Sequence, residues 1–557
     1  MTERRHGGAS TDAGDDWHGP AAPGYQDDHF RNLFGPADPG ECFQGYGAGA
    51  RDETRLMLER LADRMTKPYD WPQGWASDGR DASDNPCIPA GYTYLAQLVA
   101  HDLVHTSAPF PNPARPPARQ RNRRQLPLML DSIYGGGPSV TPHVYALPDR
   151  WLVPRTSMRL GKVRRPDTPS ERGRIRDDLP AVDIPRVACP HLNDSPGQGC
   201  PDVLLADPRN DDNLIVSQLT AVFHLLHNAV MAQLESRPEL APEVPPEAAA
   251  QRFSLARKVV TLIYRRIVRK DLLRRLLHTG VCHAYDLDAG EVAFIDPQDD
   301  RRLPIEFSHA AYRVGHSMVR PVYRVNAEIG DQALSSVLRQ TSIEPAKMPL
   351  QTNWLVQWGL FFRVNGSTPN ASRRLVPGMA PHLCQDYAFP PQDGGRGGLL
   401  YIDLVRGGDM RLRSVQSLID HLPAETRRQY RLLADPAFRS ESLATWLDAV
   451  PSRLRQSPTD IARIADDPPL QLFLLHEAAT IEDGKSLGPL GSTILAEVLM
   501  GAMCQGWAEI EGEPIAYRVA AELFDAKAPP HRMRELIDFV ADRHGLRDQQ
   551  LVGFRFV

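Results

Sequence analysis

Three short segments carry residues whose types and spacing could act together: Gln97-Leu-Val-Ala-His101-Asp102, Arg209-Asn-Asp-Asp212-Asn213 and Arg313-Val-Gly-His316. Splitting a peroxide at a metal needs a base over the metal, a fixed cation beside that base and an axial ligand beneath it. Each segment offers a candidate for one of these roles, on what read as separate helices.

Gln97 and His101 are four residues apart, which on a helix places them on one face, one turn apart. An imidazole can take a proton from hydrogen peroxide and return it to the leaving oxygen, while a neighbouring amide holds water or substrate. Asp102 points about 100° away and must serve a different neighbour, expected to be a cation. The bland reading of His101 is a core or capping histidine at the end of an amphipathic helix. The second segment, read from Asp207, immediately precedes a long apolar helix, and its Asp and Asn residues are natural helix caps, but capping does not explain Arg209. A guanidinium stays charged at any working pH and could stabilise a departing hydroxide. In the third, Arg313 and His316 are three apart and share a helix face. Gly315 would let a flat macrocycle approach the backbone. Histidine is a standard axial ligand to haem iron, and arginine suits a propionate. His309, seven residues earlier on the same stripe, is an equally good ligand by spacing alone.

The elements that must position these residues are mainly helical. The 3.6-residue period predicts helices at Arg51–Met65, Tyr92–Val104, Leu214–Leu234, Arg252–Leu277 and Ile305–Val322. Further helices are predicted at Ser414–His421, Glu425–Leu433, Leu443–Ala449, Leu470–Ala479, Thr493–Gln505 and His531–Arg543. Residues 327–396 read as mixed and loop-rich. Little of the chain alternates as strands do, and no internal repeat is found.

The composition is that of an ordinary globular protein, with 42% apolar and 24% charged residues among 557. A net charge of −5 gives no reason to expect a polyanionic partner. The arginine-rich stretches Arg115–Arg124 and Arg150–Arg176 are laced with prolines and lack interleaved aromatics, so they read as solvated loop and not as a nucleic-acid surface. Seven scattered cysteines, odd in number, argue against a disulfide framework and for a reducing compartment. Cys189, His191 and Cys200 lack the paired-ligand spacing of a zinc site. No apolar run approaches the ~18 residues of a bilayer span, and no apolar stretch follows the N-terminal arginines. The expectation is a soluble, cytoplasmic protein. Residues 1–25 are expected to form a disordered tail.

Taken together the segments resemble the animal-type haem peroxidases of the peroxidase–cyclooxygenase superfamily, particularly its bacterial members. Asn85-Pro-Cys-Ile-Pro-Ala-Gly-Tyr-Thr-Tyr94 is similar to the family's lead-in to the distal helix. Leu130-Asp131-Ser-Ile-Tyr134-Gly-Gly-Gly137 resembles its calcium-loop region, and Ala256-Arg-Lys-Val-Val260 the helix after the catalytic arginine. Leu487-Gly-Pro-Leu-Gly491 resembles a segment near the end of the domain. The resemblance implies a large, mainly α haem peroxidase domain at residues 26–505, with 506–557 as a helical extension packed on it.

By the same resemblance His101 is the distal base, Arg209 its partner, Gln97 the distal amide and His316 the proximal ligand. Arg313 then lies near a haem propionate. Asp403 falls where the family usually has an asparagine bonded to the proximal imidazole. Ala100 stands where the family has its first ester-forming aspartate, so that link is absent. Asp212 replaces the second, usually a glutamate, and is one methylene shorter, which favours noncovalent haem b. Asn213 excludes the sulfonium link of the mammalian halide-oxidising enzymes. Asp102 and Asp131 form a reduced calcium set, because Met129 stands where an aspartate ligand belongs and a thioether suits a hard cation poorly.

The activity implied is peroxide reduction coupled to oxidation of a small organic molecule or halide. A fatty-acid dioxygenase is the alternative on the same fold. It requires a tyrosine, and the segment matched to it, Thr352-Asn-Trp354-Leu-Val-Gln-Trp358, has none. A haem-binding protein with little turnover is the third reading, and the intact distal pair opposes it. A carboxylate at 403 would push electron density onto the iron through the imidazole. Asp403→Asn is therefore expected to raise the reduction potential of the haem-loaded protein. An unchanged potential in a spectroelectrochemical titration removes Asp403 from the axial hydrogen bond.

Overall fold

The computed structural model describes residues 30–43, 51–66, 83–105, 122, 124, 127–148, 154–166, 180–187, 202–245, 248–285, 302–384, 397–449, 456–547 and 556–557. The proposed tail at 1–25 and the Cys189/His191/Cys200 group lie outside these residues. Ten longer helices carry the architecture: α1 (Arg51–Thr66), α2 (Gly91–Leu103), α3 (Leu214–Ser236), α4 (Ala249–Ile267), α5 (Leu399–Asp409), α6 (Pro436–Asp448), α7 (Leu470–Glu482), α8 (Pro489–Cys504), α9 (Pro514–Leu523) and α10 (Met533–Arg543). The described strands form four antiparallel two-stranded ribbons. The largest pairs Asp84–Pro89 with Ala371–Arg373, just ahead of α2.

The centre of the molecule is α3, apolar on every side and packed against α2, α4 and α10. An all-round apolar helix is stable in water only when enclosed. By length and composition α3 could cross a bilayer, yet it is almost wholly buried inside the fold. Its start is set by Asn213, whose Oδ1 accepts from the backbone N–H of Ile215 at 3.1 Å and of Val216 at 3.0 Å. At the head of α2, Gly91 donates its N–H to Phe361 O at 2.9 Å, and a Cβ there would lie 2.5 Å from that oxygen. Only glycine allows this approach of α2 to Phe361 and Phe362.

The predicted helix at Arg252–Leu277 is one continuous rod, α4 running through a π turn at Val268–Leu272 into Leu273–Leu276. Several elements depart from expectation. The helix expected at Ile305–Val322 breaks at Ala310 (φ −141°, ψ −67°) into a short α-helix, Ile305–His309, and a 3₁₀ helix, Ala311–Met318. Helix α5 was not expected, since Gly397 and Gly398 precede it and Gly407–Gly408 lie within it. Packing against α1, α7 and Ile305–His309 supplies what its intrinsic propensity lacks. Helices at Pro458–Asp466 and α9 were also missed.

The arginine-rich stretches are not simply solvated. Arg124 and Arg164, both within them, are tied to buried groups, Arg164 donating to Pro349 O at 2.8 Å. None of the five described cysteines forms a disulfide. Helices α9 and α10 pack on α4 and α3, and Trp358 N–H donates to Phe556 O at 2.9 Å. Asn213→Ala is expected to lower the unfolding free energy by about 1 kcal/mol through loss of the α3 cap, whereas Asn213→Asp retains it. Urea unfolding of the two variants checks this.

Candidate active site

His101 lies near the C-terminal end of α2, buried, with its Nδ1 2.9 Å from Asn210 Oδ1. The Asn210 amide is oriented by its other end, Nδ2 donating to Ser132 O at 3.0 Å. Asn210 therefore presents an acceptor, Nδ1 carries the proton, and the lone pair is on Nε2. Nε2 is 3.7 Å from Asp212 Oδ2. Burial, and then the neighbouring Arg209, push the imidazole down to about 4, so the ring is neutral at ordinary pH.

Arg209 is held in one orientation. Nε donates to Asp207 Oδ1 at 3.0 Å, and Nη2 donates to Asp207 Oδ2 at 2.7 Å and to His101 O at 3.0 Å. Asp207 also caps its own 3₁₀ turn by accepting from Arg209 N–H at 3.0 Å, the role expected of it. Its second cation is Arg124, whose Nε donates to His101 O at 2.8 Å. Burial alone would raise the Asp207 carboxyl, but Arg209 and Arg124 hold it well below the usual carboxylate range. Gln97, one turn before His101, accepts from Asn213 Nδ2 at 3.0 Å. Its Nε2 is buried with no hydrogen-bond partner among the described residues.

The 3₁₀ helix Ala311–Met318 lies against α2, and the Tyr312 hydroxyl donates to Ala96 O at 2.9 Å across the junction. With three residues per turn, Arg313 and His316 stand directly in line. His316 Nδ1 is 2.7 Å from Asp403 Oδ2, and Arg313 Nη1 donates to Asp403 Oδ1 at 2.5 Å. Arg313 Nε donates to Ser308 O at 3.1 Å. Burial pushes the Asp403 carboxyl up, but Arg313 and His316 outweigh it and keep the group ionised. The break at Ala310 takes His309 off the stripe that sequence spacing assigned to it. His309 is buried, its Nδ1 2.8 Å from Ser308 Oγ and its ring edge-on to Phe30.

Asp102 is fully buried, and backbone N–H groups meet its carboxylate where a cation was expected: Leu130 N–H at 2.9 Å and Ser132 N–H at 3.1 Å. Asp131 pairs with Arg257 at 3.0 Å. Sequence reasoning missed the roles of Asn210 and Arg124. Asn210 sits in a turn of capping residues that mask it, and Arg124 in a proline-laced run with no local signal.

The animal haem peroxidase family profile matches residues 168–415, a span that contains Arg209, Asp212, Arg313, His316 and Asp403. Over that span, which is under half of the chain, the sequence is similar to the animal haem peroxidase domain. Its fold is shared by peroxidase A from Dictyostelium discoideum, 15% identical, with a TM-score of 0.54 over 98% of this chain and 98% of that one. The fatty acid alpha-dioxygenase of Oryza sativa is 14% identical, with a TM-score of 0.51 over 89% and 80% of the two chains. That of Arabidopsis thaliana is 12% identical, with a TM-score of 0.51 over 87% and 74%. At these identities the likeness concerns the fold, which is the mainly helical one expected. No curated protein matches the chain.

The family binds haem, and the residues here fit one. Gly315 faces open space, with nothing within 4 Å of where a Cβ would be. His316 has Nδ1 anchored, which leaves Nε2 as the nitrogen a metal would use, and the unsatisfied Gln97 Nε2 adds a donor on the α2 side. Asp207→Asn is expected to cost about 3–5 kcal/mol, because two buried guanidinium groups lose their shared counter-charge. The wild-type contribution should be present above the ordinary carboxylate range and lost as pH falls below about 4. Urea unfolding of both proteins across acid pH checks sign and size.

Proposed function

We propose that this protein is a peroxide-dependent haem oxidoreductase that reduces hydrogen peroxide and oxidises a small organic molecule or halide. The observation that carries the reading is the His101–Asn210 bond beside the fixed Arg209. It presets the imidazole as a neutral base with its lone pair on Nε2, and places a permanent cation next to it. His316, anchored by Asp403, would hold the haem iron. His309 is disfavoured because its Nδ1 is bonded to Ser308 and its ring lies edge-on to Phe30, off the line of Arg313 and His316.

Haem bound between α2 and Ala311–Met318 would supply the iron and the two electrons that reduce peroxide, and the reductant would restore them. The chain supplies proton transfer and charge. His101 Nε2 takes the proton from one peroxide oxygen and delivers it to the other, so that this oxygen leaves as water. Arg209 stabilises the negative charge that builds on the leaving oxygen as the O–O bond lengthens. Gln97 Nε2 is placed to donate to peroxide or water. Arg313, paired with Asp403, holds the carboxylate that keeps Nδ1–H of His316 engaged. With no aspartate at position 100 and a shortened carboxylate at 212, haem is held noncovalently in this reading.

The dioxygenase reading draws on the two plant neighbours. It needs a redox tyrosine, and Tyr312, the described tyrosine nearest His316 in sequence, commits its hydroxyl to Ala96 O. Consumption of oxygen with a fatty acid, in the absence of added peroxide, would favour that reading over ours.

One equivalent of hydrogen peroxide should shift the Soret band of the haem-loaded protein within seconds. His101→Ala should slow that step by roughly 10²–10⁴-fold. The rate should hold level as pH falls and decline only near pH 4, not near the ~6.5 of an ordinary imidazole. Asn210→Asp, which puts a carboxylate on Nδ1, should move that acid limb upward by about a unit or more. An acid limb indifferent to Asn210→Asp would refute the preset-base assignment.

A further inference from the structure

The loop that follows the distal helix in space, Pro127–Ser132, has an unusual backbone. Leu128 (φ 57°) and Leu130 (φ 58°) both sit in the left-handed region, which branched side chains rarely adopt, so the loop must be held from outside. The family resemblance assigns that task to calcium. The residues present do not fit calcium. Both Asp102 oxygens already accept backbone N–H groups of the loop, Asp131 is paired with Arg257, and Met129 offers sulfur. Among the described residues no three His, Cys, Asp or Glu side chains converge as a metal site would require.

What meets the loop is a guanidinium. Arg265, near the end of α4, is completely buried. Its Nε donates to Leu128 O at 2.9 Å. Nη1 donates to Met503 O at 3.1 Å and to Glu511 Oε2 at 3.0 Å. Nη2 donates to Gln505 O at 2.9 Å, with Met129 Sδ at 3.2 Å and Pro127 O at 3.5 Å. A cluster of backbone carbonyls around one buried positive charge, balanced by one carboxylate, is how a protein binds a hard cation. Here the cation is covalently part of the chain. Two turns earlier on the same helix, Arg257 bonds Asp131 and lies over the Tyr134 ring, so α4 presents two positive groups to one loop. The loop in turn holds Asp102, next to His101, and its Ser132 carbonyl orients Asn210.

We propose that Arg265 is a built-in replacement for calcium: it pins the loop behind the distal helix and so positions His101 and Asn210 with no bound metal ion. Arg265 is a positioning residue, and the reaction carried out at the site does not enter the argument.

The test uses the full chain. After treatment with EGTA, the wild-type protein should retain no calcium, and millimolar calcium should change neither its unfolding midpoint nor amide exchange at residues 127–132. Arg265→Ala should speed exchange of those amides roughly tenfold or more, as local opening becomes easier. Millimolar methylguanidinium should slow it again, and Arg265→Lys, which keeps the charge but loses the fork, should fall between the two. Stoichiometric calcium in the wild-type protein, or a midpoint raised by calcium, would overturn the proposal even if Arg265→Ala fails to fold. Unchanged loop exchange in Arg265→Ala would overturn it equally. Loss of peroxide turnover with the calcium and exchange results as expected would count against the proposed function alone.

Discussion

Asp207 is the constraint on which the surroundings of His101 depend. It is a fully buried carboxylate shared by Arg209 and Arg124, and both of those guanidinium groups also donate to the carbonyl of His101. A buried charge is tolerable only when paired and hydrogen-bonded, so these groups cannot relax separately. The C-terminal end of α2, the turn before α3 and the isolated Arg124 are thereby locked into one unit. The cation beside the imidazole is fixed because its counter-charge has nowhere else to go. The same cation, with burial, keeps the imidazole neutral.

The 3₁₀ helix Ala311–Met318 repeats the device with different parts. Asp403 is buried and ionised between Arg313 and His316, as Asp207 is between two arginines. Each carboxylate fixes a residue that would face the bound group, and neither needs to touch it. Both histidines are held through Nδ1, yet their charge environments differ. The difference comes from the partner: an amide oxygen at His101, a carboxylate at His316. A neutral acceptor leaves the imidazole a weak base, whereas a carboxylate makes it a stronger donor to a metal.

The local parts of this arrangement were legible in the sequence. Four-residue spacing placed Gln97 and His101 on one face because both lie in an unbroken helix. The Asp and Asn residues before Leu214 read as caps, and Asp207 and Asn213 do cap. Spacing failed where the helix type changed. Arg313 and His316 do align, but on a 3₁₀ helix, and the break at Ala310 separates His309 from them, a distinction that an unbroken α-helical period could not make. Helix α5, which carries Asp403, was hidden by its glycines, since its stability comes from three neighbouring elements and not from its own propensity.

The sequence by itself determined which residues could act, because residue type sets chemistry and short spacings set faces. It also determined the mainly helical class, because apolar periodicity over long segments is a local property. Only the tertiary structure decided protonation and orientation. The tautomer of His101 depends on Asn210, 109 positions away, the ionisation of Asp403 on Arg313, 90 positions away, and the hold on the distal loop on Arg265, 137 positions from Leu128. Those properties arise from burial and from charges brought together by folding, and nothing in the local sequence encodes either.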